Sequence, residues 1–347
     1  MANNPPPYSD ITGITRAVMK DNAQESLANY NGNARPGELV VDQNSTILYI
    51  GNALGELTVV ATPGGATTWA LLINKTGAAG PTEIALGQNA GFDGQANAAI
   101  ALGQYAGQGG QGGAAISIGL NSGGNTFQAA GAIAIGSSAG YDAQADNAVA
   151  IGVSAGLFAQ EAQSVAIGQN AGETSQGNQA VAIGIYAGQI TQGQAAVAIG
   201  DNAGANTQGT YAVAVGQTAG FIAQGVSAVA VGGLAGYLNQ GNAAVAIGPN
   251  AGSGTQGLGA VAVGWLAGTT TQGANAVAIG VSAGRTNLGN NSIILNATGA
   301  NLNQTTANTF TVKPVRDGGS AATLLGTGFY GVYYNPTTGE FVYASTP

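Results

Sequence analysis

Small apolar residues, glycines and polar residues recur at a fixed spacing through the middle of this chain. A unit of sixteen residues, approximately Val-Ala-Ile-Gly-x-x-Ala-Gly-x-x-x-Gln-Gly-x-x-Ala, occurs thirteen times between Ile84 and Ser292, and a single extra residue enters before Gln128. A period this short and strict is typical of a solenoid in which each repeat forms one coil stacked on the last. The pattern therefore predicts an all-β fold, a parallel β-solenoid or β-roll with a short strand at Val-Ala-Ile of each coil.

The predicted strand is apolar on both faces. Its first and third residues, such as Val149 and Ile151, share one face, while Ala150 lies on the other face with Ala148. We expect valine and isoleucine to pack inside the coil and the alanine face to contact a sister chain, since a strand that is apolar on both faces is covered on both. A coil of sixteen residues encloses a thin core, so the expected assembly is an oligomer, most simply a parallel homotrimer.

Glycine and glutamine mark the predicted corners. Gly152 and Gly156 suit a turn with positive φ or a close approach of two backbones, and the Gln-Gly pair suits a second turn. Amide side chains stacked at the coil spacing can hydrogen-bond from rung to rung without adding charge. We interpret them as a structural ladder, with a ligand-binding face as the alternative: Gln144, Gln160, Gln176, Gln192, Gln208, Gln224, Gln240, Gln256 and Gln272.

The repeat array, which we place at residues 84–296 including a degenerate fourteenth coil, has a non-repetitive region on each side. In the N-terminal region, residues 1–83, we predict a short helix over residues 14–30. Alternating residues from Glu38 to Val60 predict short strands and a hairpin around Gly51-Asn52, and residues 68–73 suit another strand.

The C-terminal region, residues 297–347, is rich in tyrosine and phenylalanine. It is predicted to contain a strand over Thr309–Val315 and a hairpin formed by Phe329–Tyr334 and Glu340–Tyr343. We expect this region to form the tip that closes the rod.

Charge is scarce, at 6% of residues, about a quarter of the usual share. Stacked coils place equivalent positions about 4.8 Å apart, so one charge per coil would build a self-repelling ladder. The net charge of −8 is the opposite of the basic surface that binds nucleic acid. No apolar run is long enough to span a membrane, and the polar first ten residues do not resemble a signal peptide.

Few residues suit catalysis or metal binding. Without histidine or cysteine, the chain has no Ser-His-Asp or Cys-His site and no ordinary zinc ligation, so we expect no enzyme activity, no cofactor and no metal. The segment Gly107–Gly112 fits the dinucleotide pattern only because it contains both corners of one coil. Asp142, Asp146 and Glu161 cluster within two coils; we interpret them as surface acids, with a glycan-cleaving pair or a calcium site as alternatives.

Aromatic side chains follow the second glycine of several coils. Phe221 and Tyr237 occupy the same place in successive coils and should stack, and Tyr141 and Phe158 lie nearby in their own coils. Sugar C–H faces suit aromatic rings, so these four residues are candidate receptor contacts. Burial between subunits explains the same residues at least as well.

The repeat core, as in Val165–Ala171 and Val197–Ala203, resembles the head repeats of YadA-like trimeric autotransporter adhesins. That resemblance implies a left-handed β-roll in a tight trimer. The chain is also similar to fibre proteins of phages and large DNA viruses, through the repeats and through the segments Ala34–Asp42, Asn291–Gly299, Phe310–Arg316 and Tyr334–Glu340. In such fibres the segment like Ala34–Asp42 lies near the virion attachment end, and an endosialidase-type chaperone that is cleaved after trimerisation often follows the fibre.

Together with the repeat pattern, this resemblance implies a non-enzymatic, homotrimeric viral fibre subunit of the virion, assembled in the host cytoplasm. The N-terminal region would attach to other virion or tail proteins, and the shaft and tip would contact a cell-surface glycan or protein receptor, with no nucleic-acid partner and no membrane insertion. A trimeric adhesin head on a bacterial surface is the first alternative. A glycan-cleaving tail spike is the second.

Overall fold

The structure, a computed structural model, describes residues 83–315 and 332–343 together with the backbone of four N-terminal strands. Those strands, β1 (Arg16–Lys20), β2 (Glu38–Asp42), β3 (Ile47–Gly51) and β4 (Leu57–Ala61), form one sheet in the order β1-β2-β3-β4. Strands β2, β3 and β4 pair antiparallel, which confirms the predicted hairpin at Gly51-Asn52, whereas β1 pairs parallel with β2.

The predicted N-terminal helix is wrong where the structure describes it. Residues Arg16–Lys20 form a strand, and all five pair with Glu38–Asp42. Local helix propensity is a weak preference, and pairing with a strand distant in sequence overrides it. The rest of residues 14–30 and the strand predicted at residues 68–73 lie outside the described residues.

The repeat array is a β-solenoid of about fourteen coils, as predicted. Its first sheet has fifteen parallel strands, one from each coil and one from the segment beyond, paired in sequence order. These strands are β5 (Ile84–Leu86), β6 (Ile100–Leu102), β7 (Ile116–Ile118), β8 (Ile133–Ile135), β10 (Val149–Ile151), β12 (Val165–Ile167), β14 (Val181–Ile183), β16 (Val197–Ile199), β18 (Val213–Val215), β20 (Val229–Val231), β22 (Val245–Ile247), β24 (Val261–Val263), β26 (Val277–Ile279), β27 (Ile293–Asn296) and β28 (Phe310–Lys313).

The second sheet has nine parallel strands, each ending on the ladder glutamine of its coil. They are β9 (Asp142–Gln144), β11 (Phe158–Gln160), β13 (Thr174–Gln176), β15 (Ile190–Gln192), β17 (Asn206–Gln208), β19 (Ile222–Gln224), β21 (Leu238–Gln240), β23 (Thr255–Gln256) and β25 (Thr271–Gln272). Most coils stack on the next in a register offset by sixteen residues, so Val165 pairs with Val181 and Gln176 with Gln192. The offset is seventeen where Ile116 pairs with Ile133 and where Ile293 pairs with Phe310. Among the described residues there is no helix, and hence none that could cross a membrane.

The orientation of the first sheet is the reverse of the predicted one. Ala150 and its equivalents in other coils are fully buried, whereas Val149 and Ile151 are only partly buried and face outward. The solenoid interior consists of columns of alanine, such as Ala166, Ala171 and Ala180, together with the glutamine column. A coil of sixteen residues encloses a thin interior that the alanine columns and the glutamine column fill, and the branched side chains of the first sheet are left outside.

The corners are as tight as the glycine pattern predicts. Gly152 has φ of +131° and Gly156 has φ of +51°, both outside the range that other residues adopt readily. A Cβ atom on Gly152 would lie 2.6 Å from the carbonyl oxygen of Gly168 in the next coil. The first glycine of each unit is therefore required by backbone conformation and by the contact between successive coils.

The solenoid extends further than predicted at its C-terminal end. Strand β28 pairs parallel with β27 over four residues, so the first sheet continues to Lys313 rather than ending at residue 296. The predicted hairpin is confirmed as β29 (Val332–Asn335) and β30 (Glu340–Tyr343), which pair antiparallel. The ring of Phe341 in this hairpin lies 6.0 Å from the ring of Phe310, so the hairpin contacts the last strand of the solenoid.

Candidate functional site

The glutamine column is a continuous buried hydrogen-bond ladder. Gln176 illustrates the unit: its Nε2 donates to Gln192 Oε1 in the following coil (3.1 Å) and to the carbonyl of Val165 (2.8 Å), while its Oε1 accepts from Gln160 Nε2 (3.1 Å). The same donation to the following coil runs from Gln95 through Gln111 and Gln128 to Gln272. The predicted structural ladder is present, and because its amides are buried it offers no ligand-binding face.

The second glycine of each unit makes room for the ladder. A Cβ atom on Gly172 would lie 2.8 Å from the amide carbon of Gln176, and Gly156 stands in the same relation to Gln160. Glycine at this place and glutamine four residues later therefore form one structural element. Their joint recurrence in the sequence has this steric cause.

The coil with the extra residue before Gln128 modifies the ladder. Ser117 replaces the buried alanine of its strand, and its Oγ accepts from Gln111 Nε2 (3.0 Å) and donates to Gln128 Oε1 (2.8 Å). A serine hydroxyl thus joins two successive rungs at the coil whose glutamine is displaced by one position. The insertion is accommodated without leaving an unpaired amide.

Of the four candidate aromatic residues, only Phe221 and Tyr237 contact each other. Phe221 and Tyr237 stack as predicted, with ring centroids 5.3 Å apart and an angle of 3° between the rings. Phe158 pairs in register with Asp142 and Thr174, and is 41% exposed. It lies four coils from Phe221, about 19 Å along the shaft, so the structure does not bring all four aromatic candidates into one platform.

The carboxylates of Asp146 and Glu161 each accept a backbone hydrogen bond from a neighbouring coil. Asp146 Oδ1 accepts a hydrogen bond from the backbone N–H of Ala130 (3.1 Å), and Glu161 Oε2 accepts one from the N–H of Asn178 (2.8 Å). One carboxylate therefore binds the coil before it and the other the coil after it. Asn242 and Asn290 make the same kind of bond elsewhere in the shaft, to Val226 and Ala274. In residues 83–315 and 332–341 no cluster of three or more acidic, histidine or cysteine side chains could hold a metal ion.

Sequence reasoning missed two exposed apolar features. The outward stripe of valine and isoleucine on the first sheet was expected inside the coil. Trp265, at the corner after the first sheet, is 55% exposed and was not identified as a candidate contact. Its signal in the sequence is a large aromatic residue directly after the first glycine of a unit, where other coils carry residues as different as Gln169, Asp201 and Pro249.

Comparison with known proteins adds no assignment. The chain matches no family model, no curated protein and no solved structure.

Proposed function

We propose that this chain is a structural fibre subunit that assembles as a homotrimer and forms the rigid shaft of a viral fibre. The observation that carries the proposal is the unbroken solenoid combined with its outward apolar stripe. Successive coils are hydrogen-bonded through strands and corners alike, for example from Val165 N to Ala180 O (2.8 Å) and from Gly172 N to Ala187 O (2.9 Å). About fourteen coils at about 4.8 Å each give a shaft of roughly 65 Å.

The outward face of the first sheet is the surface proposed for self-association. Ile183, Ile199, Ile247 and Ile279 are each about 40% exposed, and the valines beside them are half-buried. If a fully exposed side chain of this type presents about 100 Å², two such residues in each coil leave on the order of 800 Å² of apolar area on one face. This area exceeds the largest patch of a typical monomer and matches one side of a standard protein interface.

Assembly can be tested with variants matched for exposure. Ile199→Lys with Ile247→Lys places two charges on the proposed interface, whereas Ile190→Lys with Ile222→Lys places two on similarly exposed residues of the second sheet. Light scattering should give a mass near three chains for the unmodified protein and for the second variant, and near one chain for the first. A monomeric unmodified protein, or equal dissociation of both variants, would contradict the proposal.

The contribution to host attachment is assigned to the stacked pair Phe221 and Tyr237. Three chains in one rod would present three copies of each contact, so modest affinities combine into avidity. Replacing both residues by alanine should reduce binding to host cells while the trimer persists. Retention of full binding by that trimer would show that attachment resides elsewhere. In the proposed fibre, residues 1–83, which include the N-terminal sheet, join the shaft to other virion proteins.

A further inference from the structure

The glutamine ladder has a direction, and its two ends differ. Every rung from Gln95 to Gln256 donates from Nε2 to Oε1 of the following coil, so the carbonyl end of each side-chain amide faces the N-terminal end of the shaft. Twelve amides aligned in this way add their dipoles, as peptide groups do along a helix. The negative end of that combined dipole lies at Gln95.

The C-terminal end of the ladder is satisfied within the protein. The next position holds the buried Leu288, and Gln272 instead donates to the carbonyls of Val261 (2.7 Å) and Ala276 (2.9 Å). In the middle of the shaft the bond equivalent to the second one is longer, at 3.3 Å from Gln208 to Ala212. The amide of Gln272 therefore uses its hydrogens locally, and its oxygen accepts from Gln256.

At the N-terminal end of the ladder, one oxygen has no partner in the described part of the chain. Gln95 Nε2 donates to Gln111 Oε1 (2.7 Å) and to the Ile84 carbonyl (3.2 Å), but no described group donates to the buried Gln95 Oε1. Glu83 Oε2 is the other buried side-chain oxygen without a partner among the described residues. Each of the two side chains is only 8% exposed.

The repeat places both oxygens at the same end of the interior. Glu83 occupies the place held by Ala99 one coil later, and side chains at that place point into the core, as the full burial of Ala99 and Ala180 shows. Gln95 Oε1 faces the layer of Glu83, since the equivalent oxygen of every later rung accepts from the coil before it. The carboxylate of Glu83 and the negative end of the amide ladder thus face the same buried space, which we call the first layer.

We propose that this layer binds an alkali-metal cation, Na⁺ or K⁺, through Glu83 Oε2 and Gln95 Oε1. Oxygen ligands suit hard cations, and buried charges in proteins are paired or coordinate metal ions. The two groups together carry one negative charge, so a monovalent ion neutralises the layer whereas a divalent ion would leave a buried positive charge. The cation would complete the ladder at the end where no preceding glutamine donates.

Hydrogen exchange of the first coil tests this site locally. The amides of Ile84 and Ala96 bond to Ala99 and Gln111 in the coil that the site supports. Their exchange should slow several-fold in NaCl or KCl relative to tetramethylammonium chloride at equal ionic strength, and the effect should saturate with cation concentration. Exchange in the coil from Val261 to Ala276 should be the same in all three salts and provides an internal control.

Two variants separate the site from general salt effects. Glu83→Gln removes the proposed ligand charge and should abolish the cation effect, whereas Asp93→Asn removes an exposed charge from the same coil and should retain it. Equal exchange rates in the three salts would overturn the proposal. So would a response to Ca²⁺ alone, or protection at low pH without alkali metal that Glu83→Gln abolishes, because a proton on Glu83 would then be the occupant.

Discussion

Interrupting the glutamine ladder should lower the free energy of unfolding. The loss should depend on how many amides are left without a rung partner rather than on how many glutamines are removed. In Gln208→Leu, Gln224 Oε1 loses its hydrogen-bond donor, Gln208 Nε2. Gln192 Nε2 loses its acceptor, Gln208 Oε1, which lies 3.0 Å away in the unmodified protein. Leucine fits this position, as Leu288 is buried at the equivalent place.

The magnitude follows from these two ends. A buried acceptor left without a partner costs about 1–3 kcal/mol. The donor end costs less, because Gln192 keeps its bond to the Val181 carbonyl and can shorten its contact with Ala196 as Gln272 does with Ala276. We expect the single variant to lose about 2–4 kcal/mol in the free energy of unfolding per chain.

Two double variants then distinguish a cooperative ladder from independent side chains. Gln208→Leu with Gln224→Leu removes neighbouring rungs and still leaves two ends, so its loss should stay close to that of the single variant. Gln176→Leu with Gln240→Leu leaves four ends and should lose about twice as much.

Urea unfolding followed by circular dichroism, at one protein concentration, measures all of these variants. The exposed Gln217→Leu controls for the change from amide to leucine and should lie within about 0.5 kcal/mol of the unmodified protein. Equal losses for the neighbouring and the separated pair would refute the reasoning, because each glutamine would then contribute independently of its rung partners.

Two further predictions concern backbone conformation and can be measured by the same unfolding assay. Gly184→Ala should destabilise the chain by about 3 kcal/mol or more, because φ at this residue is +130° and the added Cβ would lie 2.6 Å from Gly200 O, whereas Gly233→Ala meets no atom within 4 Å and should be nearly neutral. A tolerated Gly184→Ala would show that the coils can separate at this corner. Thr191→Asn should stabilise the chain by about 1 kcal/mol, because a β-branched residue there has φ of +52°, a conformation that asparagine accepts more readily. Thr174→Asn, outside the left-handed region, should give no such gain, and equal effects of the two would contradict this explanation.

The period of the repeat was sufficient to predict the solenoid, its coil length and the stacking of Phe221 on Tyr237. It did not tell which face of the Val-Ala-Ile strand is inside, because both faces are apolar and the usual preference for larger side chains in a core favours Val149 and Ile151. The signal for the opposite orientation is that the middle residue is always alanine or serine, from Ala85 to Ala278, whereas the flanking residues vary among valine, isoleucine and leucine. A position restricted to the smallest side chains in every coil marks the narrowest part of the interior.

Other features depended on contacts between residues distant in sequence. The strand at Arg16–Lys20 forms by pairing with β2, and the local sequence does not contain that partner. The bonds of Asp146 and Glu161 to neighbouring coils depend on side-chain direction at a corner, which spacing alone does not give. The unpaired oxygens of Glu83 and Gln95, found among the described residues, depend on the direction of every amide in the ladder, which the sequence does not give.

The repeated register between coils lets the number of repeats in the gene set the length of the solenoid. Excising residues 181–196 would join Ala180 to Val197, and the Val-Ala-Ile strands and the ladder glutamines on either side would pair with the same residue types as before. Recombination between neighbouring repeats in the gene can therefore shorten or lengthen the rod in steps of about 4.8 Å while leaving both ends intact. The length of the solenoid can in this way evolve separately from its two ends, through the number of coils alone.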